Sequence, residues 1–153
     1  MSRPSSGDDL RELYQQLILD HNQNPRNFKI LMNANRMAEG FNPLCGDKVT
    51  VYVRLVNDVI EDMAFQGSGC AISKASASIM TLTLKGRTKK EAEALFEAFR
   101  RMVTTGEKGS QDLQKLTVLA GVYKYPVRVK CATLAWHTMM NSLQEKREAV
   151  STE

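Results

Sequence analysis

The sequence predicts an α+β fold with an antiparallel sheet, and three observations carry that prediction. A helical pattern stands before any strand, two alternating runs are joined by a two-residue turn, and the chain from Cys70 onward has mostly helical period. Strands and helices are therefore segregated along the chain rather than interleaved, which favours an antiparallel sheet over βαβ units. No internal repeat is visible, and 153 residues suit one domain over 1–153, with flexible tails at 1–7 and about 147–153.

The elements follow in order. In "DDLRELYQQLILDH" (8–21), Leu10, Leu13, Tyr14, Leu17 and Ile18 fall at helical spacing, and Asp8 and Asp9 suit the positive end of that helix. "NQNPRN" ends it. The stretch 30–40 is ambiguous, with a short strand expected over Ala34 to Glu39. Over 48–56, Val49, Val51, Val53 and Leu55 alternate with Thr50, Tyr52 and Arg54, the pattern of a half-buried strand. Asn57-Asp58 makes a hairpin turn, 59–65 the return strand, and "QGSG" (66–69) a flexible turn. A helix is expected from Cys70, with Ile72, Ala75, Ile79 and Leu82 on one face and Gly86 at its end. "TKKE" (88–91) is a capping box, opening a helix striped by Ala92, Leu95, Phe96, Phe99 and Val103. A loop over 104–112 and a short helix over 113–122 follow, and Pro126 starts a last helix through Leu134, Trp136 and Met139.

Composition narrows the function. Hydrophobic content of 42% and charged content of 25% are those of a soluble globular chain. No apolar run reaches the ~20 residues of a membrane helix, and "MSRPSSGDDL" has no signal-peptide core, so a cytoplasmic location with no membrane partner is expected. The net charge of +4 comes from scattered basic residues without a run of Lys/Arg and aromatics. That argues against nucleic acid and fits an acidic protein partner.

Cys45, Cys70 and Cys131 cannot all pair, and nothing marks the chain as secreted, so a disulfide framework is not expected. Each sits at an element boundary: Cys45 in a Pro/Gly loop before a strand, Cys70 at a helix start, Cys131 soon after Pro126. Asp47 stands two residues from Cys45, with Gly46 between them to permit a bend. Three thiols and a carboxylate are a tetrahedral donor set suited to zinc or an iron–sulfur cluster. No Cys-x-x-Cys pair is present, so three unrelated buried cysteines stay open as the alternative on spacing alone.

Several segments resemble one family: "DHNQNPRN" (20–27), "NPLCGDKV" (42–49), "VIEDMAFQGSGCAISKASASIM" (59–80), "LKGRT" (84–88) and "VKCATLAW" (129–136). In this order they are similar to the SufU/IscU (NifU N-terminal-like) iron–sulfur cluster assembly proteins. The resemblance implies a three-stranded antiparallel sheet with an N-terminal helix and a cluster of C-terminal helices. It also implies that Cys45, Asp47, Cys70 and Cys131 converge at one exposed end. The IscU branch has a His before its last Cys, within a segment read by an Hsp70-type chaperone; here Lys130 precedes Cys131 in "YPVRVKC". The 60 residues between Cys70 and Cys131 match the insertion of the SufU branch.

That branch implies a zinc-dependent sulfurtransferase. Cys45 would be the catalytic acceptor of persulfide sulfur from a cysteine desulfurase, a SufS-like pyridoxal-phosphate enzyme, and sulfur would pass on to downstream cluster-assembly proteins. Cys45, Asp47, Cys70 and Cys131 would hold Zn2+. A scaffold carrying a transient [2Fe–2S] cluster on the same residues is the alternative, and a zinc-stabilised interaction module without sulfur chemistry is a third reading. Among the remaining residues, Arg128 lies three before Cys131 and is a candidate to pair with Asp47 or steer a persulfide. His21 reads as a helix-end partner, His137 lies off the cysteine's helical face, and Met63, Met80, Met102 and Met139 read as packing.

Overall fold

The computed structural model describes residues 6–107, 111–145 and 150–152. Helix α1 (Ser6–Gln23) leads into strands β1 (Arg36–Asn42), β2 (Asp47–Val56) and β3 (Val59–Ser68). Helices α2 (Ala71–Leu84) and α3 (Lys89–Thr105), a 3₁₀ segment (Gln111–Lys124), α4 (Pro126–Leu143) and the two-residue strand β4 (Val150–Ser151) complete the chain.

The sheet order is β3-β2-β1-β4. The first three strands are antiparallel, but β4 runs parallel to β1, pairing Gly40 with Val150 and Phe41 with Ser151. The sheet is thus four-stranded and mixed, not the three-stranded antiparallel sheet the family resemblance implied. Two residues cannot show alternation, so "REAVSTE" carries no strand signal. Within the expected C-terminal tail, Val150–Thr152 is held on β1, Thr152 N–H donating to Phe41 O at 3.0 Å; 146–149 and 153 lie outside the described residues. Of the expected N-terminal tail, 1–5 lies outside them and Ser6 and Gly7 open α1.

Strand β1 begins two residues later than expected and runs on to Asn42, where it pairs with Asp47. Asn35 is spent before it: its side chain accepts from Leu55 N–H and donates to Leu55 O, each at 2.7 Å. Asn57 and Asp58 have φ of 51° and 63°, the backbone a two-residue hairpin requires. "QGSG" is not a free turn, because Gln66, Gly67 and Ser68 extend β3 along Thr50, Val49 and Lys48.

The Thr88 capping box forms in both directions, Glu91 N–H reaching Thr88 Oγ1 at 3.1 Å and Thr88 N–H reaching Glu91 Oε1 at 2.9 Å. Helix α2 is buried over Ala75–Thr81, whereas Leu82, expected inward, is exposed. The 3₁₀ segment is interrupted at Gln114, with φ 42° and ψ −114°. Trp136 is fully buried in the core and stacks on Phe99 at 4.8 Å between ring centroids. The four methionines read as packing are buried there too.

The short side chains of α2 let it close on α4: Ser76 Oγ donates to Ala132 O at 2.6 Å. Ser76 is six residues from Cys70 and Ala132 is next to Cys131, so this contact sets one cysteine-bearing helix against the other.

Candidate metal centre

The site is built at one end of the β1–β2 hairpin. Pro43 follows the last residue of β1 and cannot donate to a ladder, so the strand stops there. Cys45 N–H then turns back to Asn42 O at 3.2 Å, and Gly46 takes φ 71°, a left-handed bend open to glycine at little cost. This four-residue loop carries Cys45 over the hairpin and returns the chain at Asp47, the first residue of β2.

Two further elements arrive from α2 and α4. Cys70 is the N-cap of α2, its Sγ accepting from Ser73 N–H at 3.4 Å. The thiol therefore sits at the amide end of the helix. Pro126 at the first turn of α4 fixes the start of the helix that carries Arg128 and Cys131.

The ligand atoms of Cys45, Asp47 and Cys131 lie within 4.8 Å of one another. Cys70 stands beside them rather than within that group, with Sγ 4.0 Å from Asp47 Oδ2. Asp47 is only 2% exposed and Cys131 is fully buried, whereas Cys45 and Cys70 are half-buried. The buried pair forms the floor, and the two accessible thiols face outward. Burial, reinforced by hydrogen bonding to Asp47 and Cys45, pushes the Cys131 thiol far above its ordinary value.

The Asp47 carboxylate is held on both oxygens. Cys70 N–H donates to Oδ1 at 2.9 Å, and Asn42 Nδ2 lies 3.5 Å from Oδ2. Gly69 allows this approach, since a Cβ there would fall 2.3 Å from Asp47 Oδ1. Neither Asn42 nor Gly69 was picked out from the sequence, although both stand within the quoted motifs; each acts through contacts across the fold.

Arg128 is exposed and faces the cysteines. Its interaction with Cys70, and less so with Cys131, holds its guanidinium more firmly protonated. Among the described residues no Arg128–Asp47 ion pair forms. The histidines lie outside the ligand cluster. His21 is fully buried with Nδ1 2.7 Å from Ser78 Oγ, and half-buried His137 meets the Phe96 ring edge to face at 5.0 Å. Burial lowers the pKa of both. Exposed Leu44, Tyr125 and Val127 stand on the loop and helix start that carry the site. Among the described residues, no helix is long and apolar enough to cross a membrane.

Comparison with known proteins places the chain in a family. The chain is 42% identical over 132 residues to the zinc-dependent sulfurtransferase SufU of Bacillus subtilis (strain 168), covering 86% of this chain and 89% of that protein. It is 39% identical to the iron–sulfur cluster assembly scaffold protein IscU of Streptococcus pyogenes serotype M1, covering 92% and 88%. The crystal structure of a putative iron–sulfur cluster assembly scaffold protein for the SUF system from Fervidobacterium islandicum AW-1 superposes with a TM-score of 0.80 at 34% identity, over 87% of this chain and 98% of that one. The NifU-like N-terminal domain matches residues 13–132, a span holding all three cysteines and Asp47, and the chain belongs to that family.

Proposed function

We propose that this protein serves iron–sulfur cluster assembly as a zinc-dependent sulfurtransferase, with Cys45 as the sulfur acceptor. The observation that carries the reading is the meeting of Cys45, Asp47 and Cys131 within 4.8 Å, with Cys70 beside them. The donor set fits zinc: Zn–S bonds of about 2.3 Å space tetrahedral sulfurs by about 3.8 Å, a small adjustment from this geometry. Cys45, Asp47, Cys70 and Cys131 would hold the ion, which when bound keeps its thiols deprotonated at neutral pH.

The residues divide the work by exposure. Cys131 and Asp47 are buried and stay as anchors. Cys45 lies on the Gly46 loop and is the thiol free to swing outward. Its thiolate attacks the terminal sulfur of a persulfide on a cysteine desulfurase. A new S–S bond forms at Cys45, the donor S–S bond breaks, and the donor cysteine leaves as thiolate; the persulfide's own proton stays with the transferred sulfur or goes to solvent. Exposed Leu44, Tyr125 and Val127 give that partner an apolar rim. Arg128 supplies positive charge where the anionic sulfur arrives. The desulfurase is a SufS-like pyridoxal-phosphate enzyme, and the sulfur passes on to cluster assembly in the cytoplasm.

The scaffold reading, with a transient [2Fe–2S] cluster on the same residues, is favoured by the likeness to IscU. Metal analysis and an absorption spectrum of anaerobically purified protein separate the two. Stoichiometric zinc, with desulfurase stimulation lost in Cys45→Ser, is the expected outcome. Stoichiometric iron and sulfide would favour the scaffold, and full stimulation by Cys45→Ser would sink the sulfur-acceptor role.

A further inference from the structure

Asn42 is the last residue of β1, and its side chain is fully buried. Burying a primary amide is costly unless its hydrogen bonds are met. This one is poorly met by the fold: Oδ1 has no partner among the described residues, and Nδ2 reaches only Asp47 Oδ2 at 3.5 Å and Cys131 Sγ at 3.6 Å. Turning the amide over would set its oxygen against the Asp47 carboxylate, and against the Cys131 sulfur whenever that sulfur is a ligand, so Nδ2 belongs on the ligand side. An apolar residue of similar shape would serve a plain core better.

The two atoms that Nδ2 faces come from different elements, Asp47 from β2 and Cys131 from α4. Both are anionic when they hold a cation, and N–H bonds to ionised acceptors are the short, strong kind. The backbone of the same residue accepts from Cys45 N–H at 3.2 Å. Asn42 thus touches three of the four residues of the site, each by a polar atom.

We infer that Asn42 is a positioning residue for the metal centre: its two Nδ2 hydrogens brace the Asp47 carboxylate against the Cys131 sulfur, fixing strand and helix ligands at the spacing one ion needs. This rests on the zinc reading of the site. Groups that orient metal ligands in this way contribute about 10–100-fold in metal affinity. Asp47 is then gripped on both sides, by Cys70 N–H on Oδ1 and by Asn42 on Oδ2.

The test uses the full chain, with Asn42→Leu as a near-isosteric apolar replacement and Asn42→Ala should leucine block folding. Zinc affinity is read by chelator competition, ligand geometry by the Co2+ absorption spectrum, and folding by the melting temperature of the metal-free protein. The expected result is zinc binding weakened about 10–100-fold, a Co2+ spectrum altered in band position or intensity, and a metal-free melting temperature not below that of the wild type. Wild-type affinity together with a wild-type Co2+ spectrum in the variant would overturn the inference. So would weakened binding matched by a lower metal-free melting temperature with the spectrum unchanged, since that is a structural role only. A wild-type chain that binds neither ion overturns the zinc reading, and the inference with it.

Discussion

The backbone N–H of Cys70 donates to Asp47 Oδ1 at 2.9 Å, tying the start of α2 to the first residue of β2. An N-cap amide in a capping box is met by the N3 side chain three residues on. Here Ser73 occupies that place and donates its own N–H to Cys70 Sγ, so the carboxylate from β2 takes over the task. Asp47 is therefore a cap and a ligand candidate at once. Asp47→Asn keeps an acceptor for Cys70 and removes the charge; Asp47→Ala removes both. We expect both variants to lose zinc, and only Asp47→Ala to lose about 1–3 kcal/mol of metal-free stability from the orphaned amide. Metal content and urea unfolding of the two variants check this, and retained zinc in Asp47→Ala would remove the carboxylate from the site.

Gly69 gives a steric test of the same contact. An alanine Cβ would stand 2.3 Å from Asp47 Oδ1 and 3.1 Å from Asp47 Cα, so the carboxylate must move. Gly69→Ala should lower zinc occupancy and sulfur acceptance together. Gly121→Ala is the control, because a Cβ there meets nothing within 4 Å; its stability should stay within about 0.5 kcal/mol of the wild type. Zinc occupancy equal in both variants would show that the loop absorbs the clash.

Arg128 separates charge from coordination. It is exposed, faces Cys70 and Cys131, and makes no ion pair with Asp47 among the described residues. Arg128→Ala should keep its zinc and slow sulfur acceptance about tenfold, the equivalent of roughly 1.4 kcal/mol. The loss should shrink at high salt, where the attraction of exposed charges is screened. Desulfurase stimulation at two ionic strengths, beside zinc content, measures both parts.

The elements with strong local signals were legible in the sequence, and those decided by tertiary contact were not. The Asn57-Asp58 turn, the Thr88–Glu91 box and Pro126 at a helix start act within a few residues, and each stands where the sequence places it. Strand β4 has two residues and is made by pairing with Gly40 and Phe41, which no local pattern encodes. The extension of β3 through Gln66–Ser68 was hidden by two glycines that read as a turn. Boundary positions and donor chemistry make Cys45, Asp47, Cys70 and Cys131 candidates, and the family resemblance is what joins them into one site. Asn42 escaped because an Asn before a Pro looks like turn punctuation, and its buried amide is visible only once Cys131, 89 positions away, packs beside it.

His21 makes stability depend on pH, and the sign follows from its burial. Ser78 Oγ accepts from Arg26 N–H at 2.8 Å and lies 2.7 Å from His21 Nδ1. The ring is fully buried, and its Nε2 has no partner among the described residues. Burial is the main cause of a lowered pKa, and Arg26 and Lys115 add to it against the opposing pull of Asp20. The unfolded histidine titrates near its ordinary value of about 6.5, so below that pH the unfolded chain binds a proton the folded chain resists. The stability contributed by neutral His21 is therefore complete above about pH 6.5 and is lost as the pH falls through the lower folded value. His137 adds in the same direction, whereas Asp20, Asp62, Glu91 and Glu97 have lowered values and act in a more acidic window. In metal-free protein, where zinc release cannot contribute, the urea midpoint should fall from pH 7.5 to pH 5.5 and the fall should be shallower in His21→Gln. An equal slope in that variant would mean the titrating group lies elsewhere.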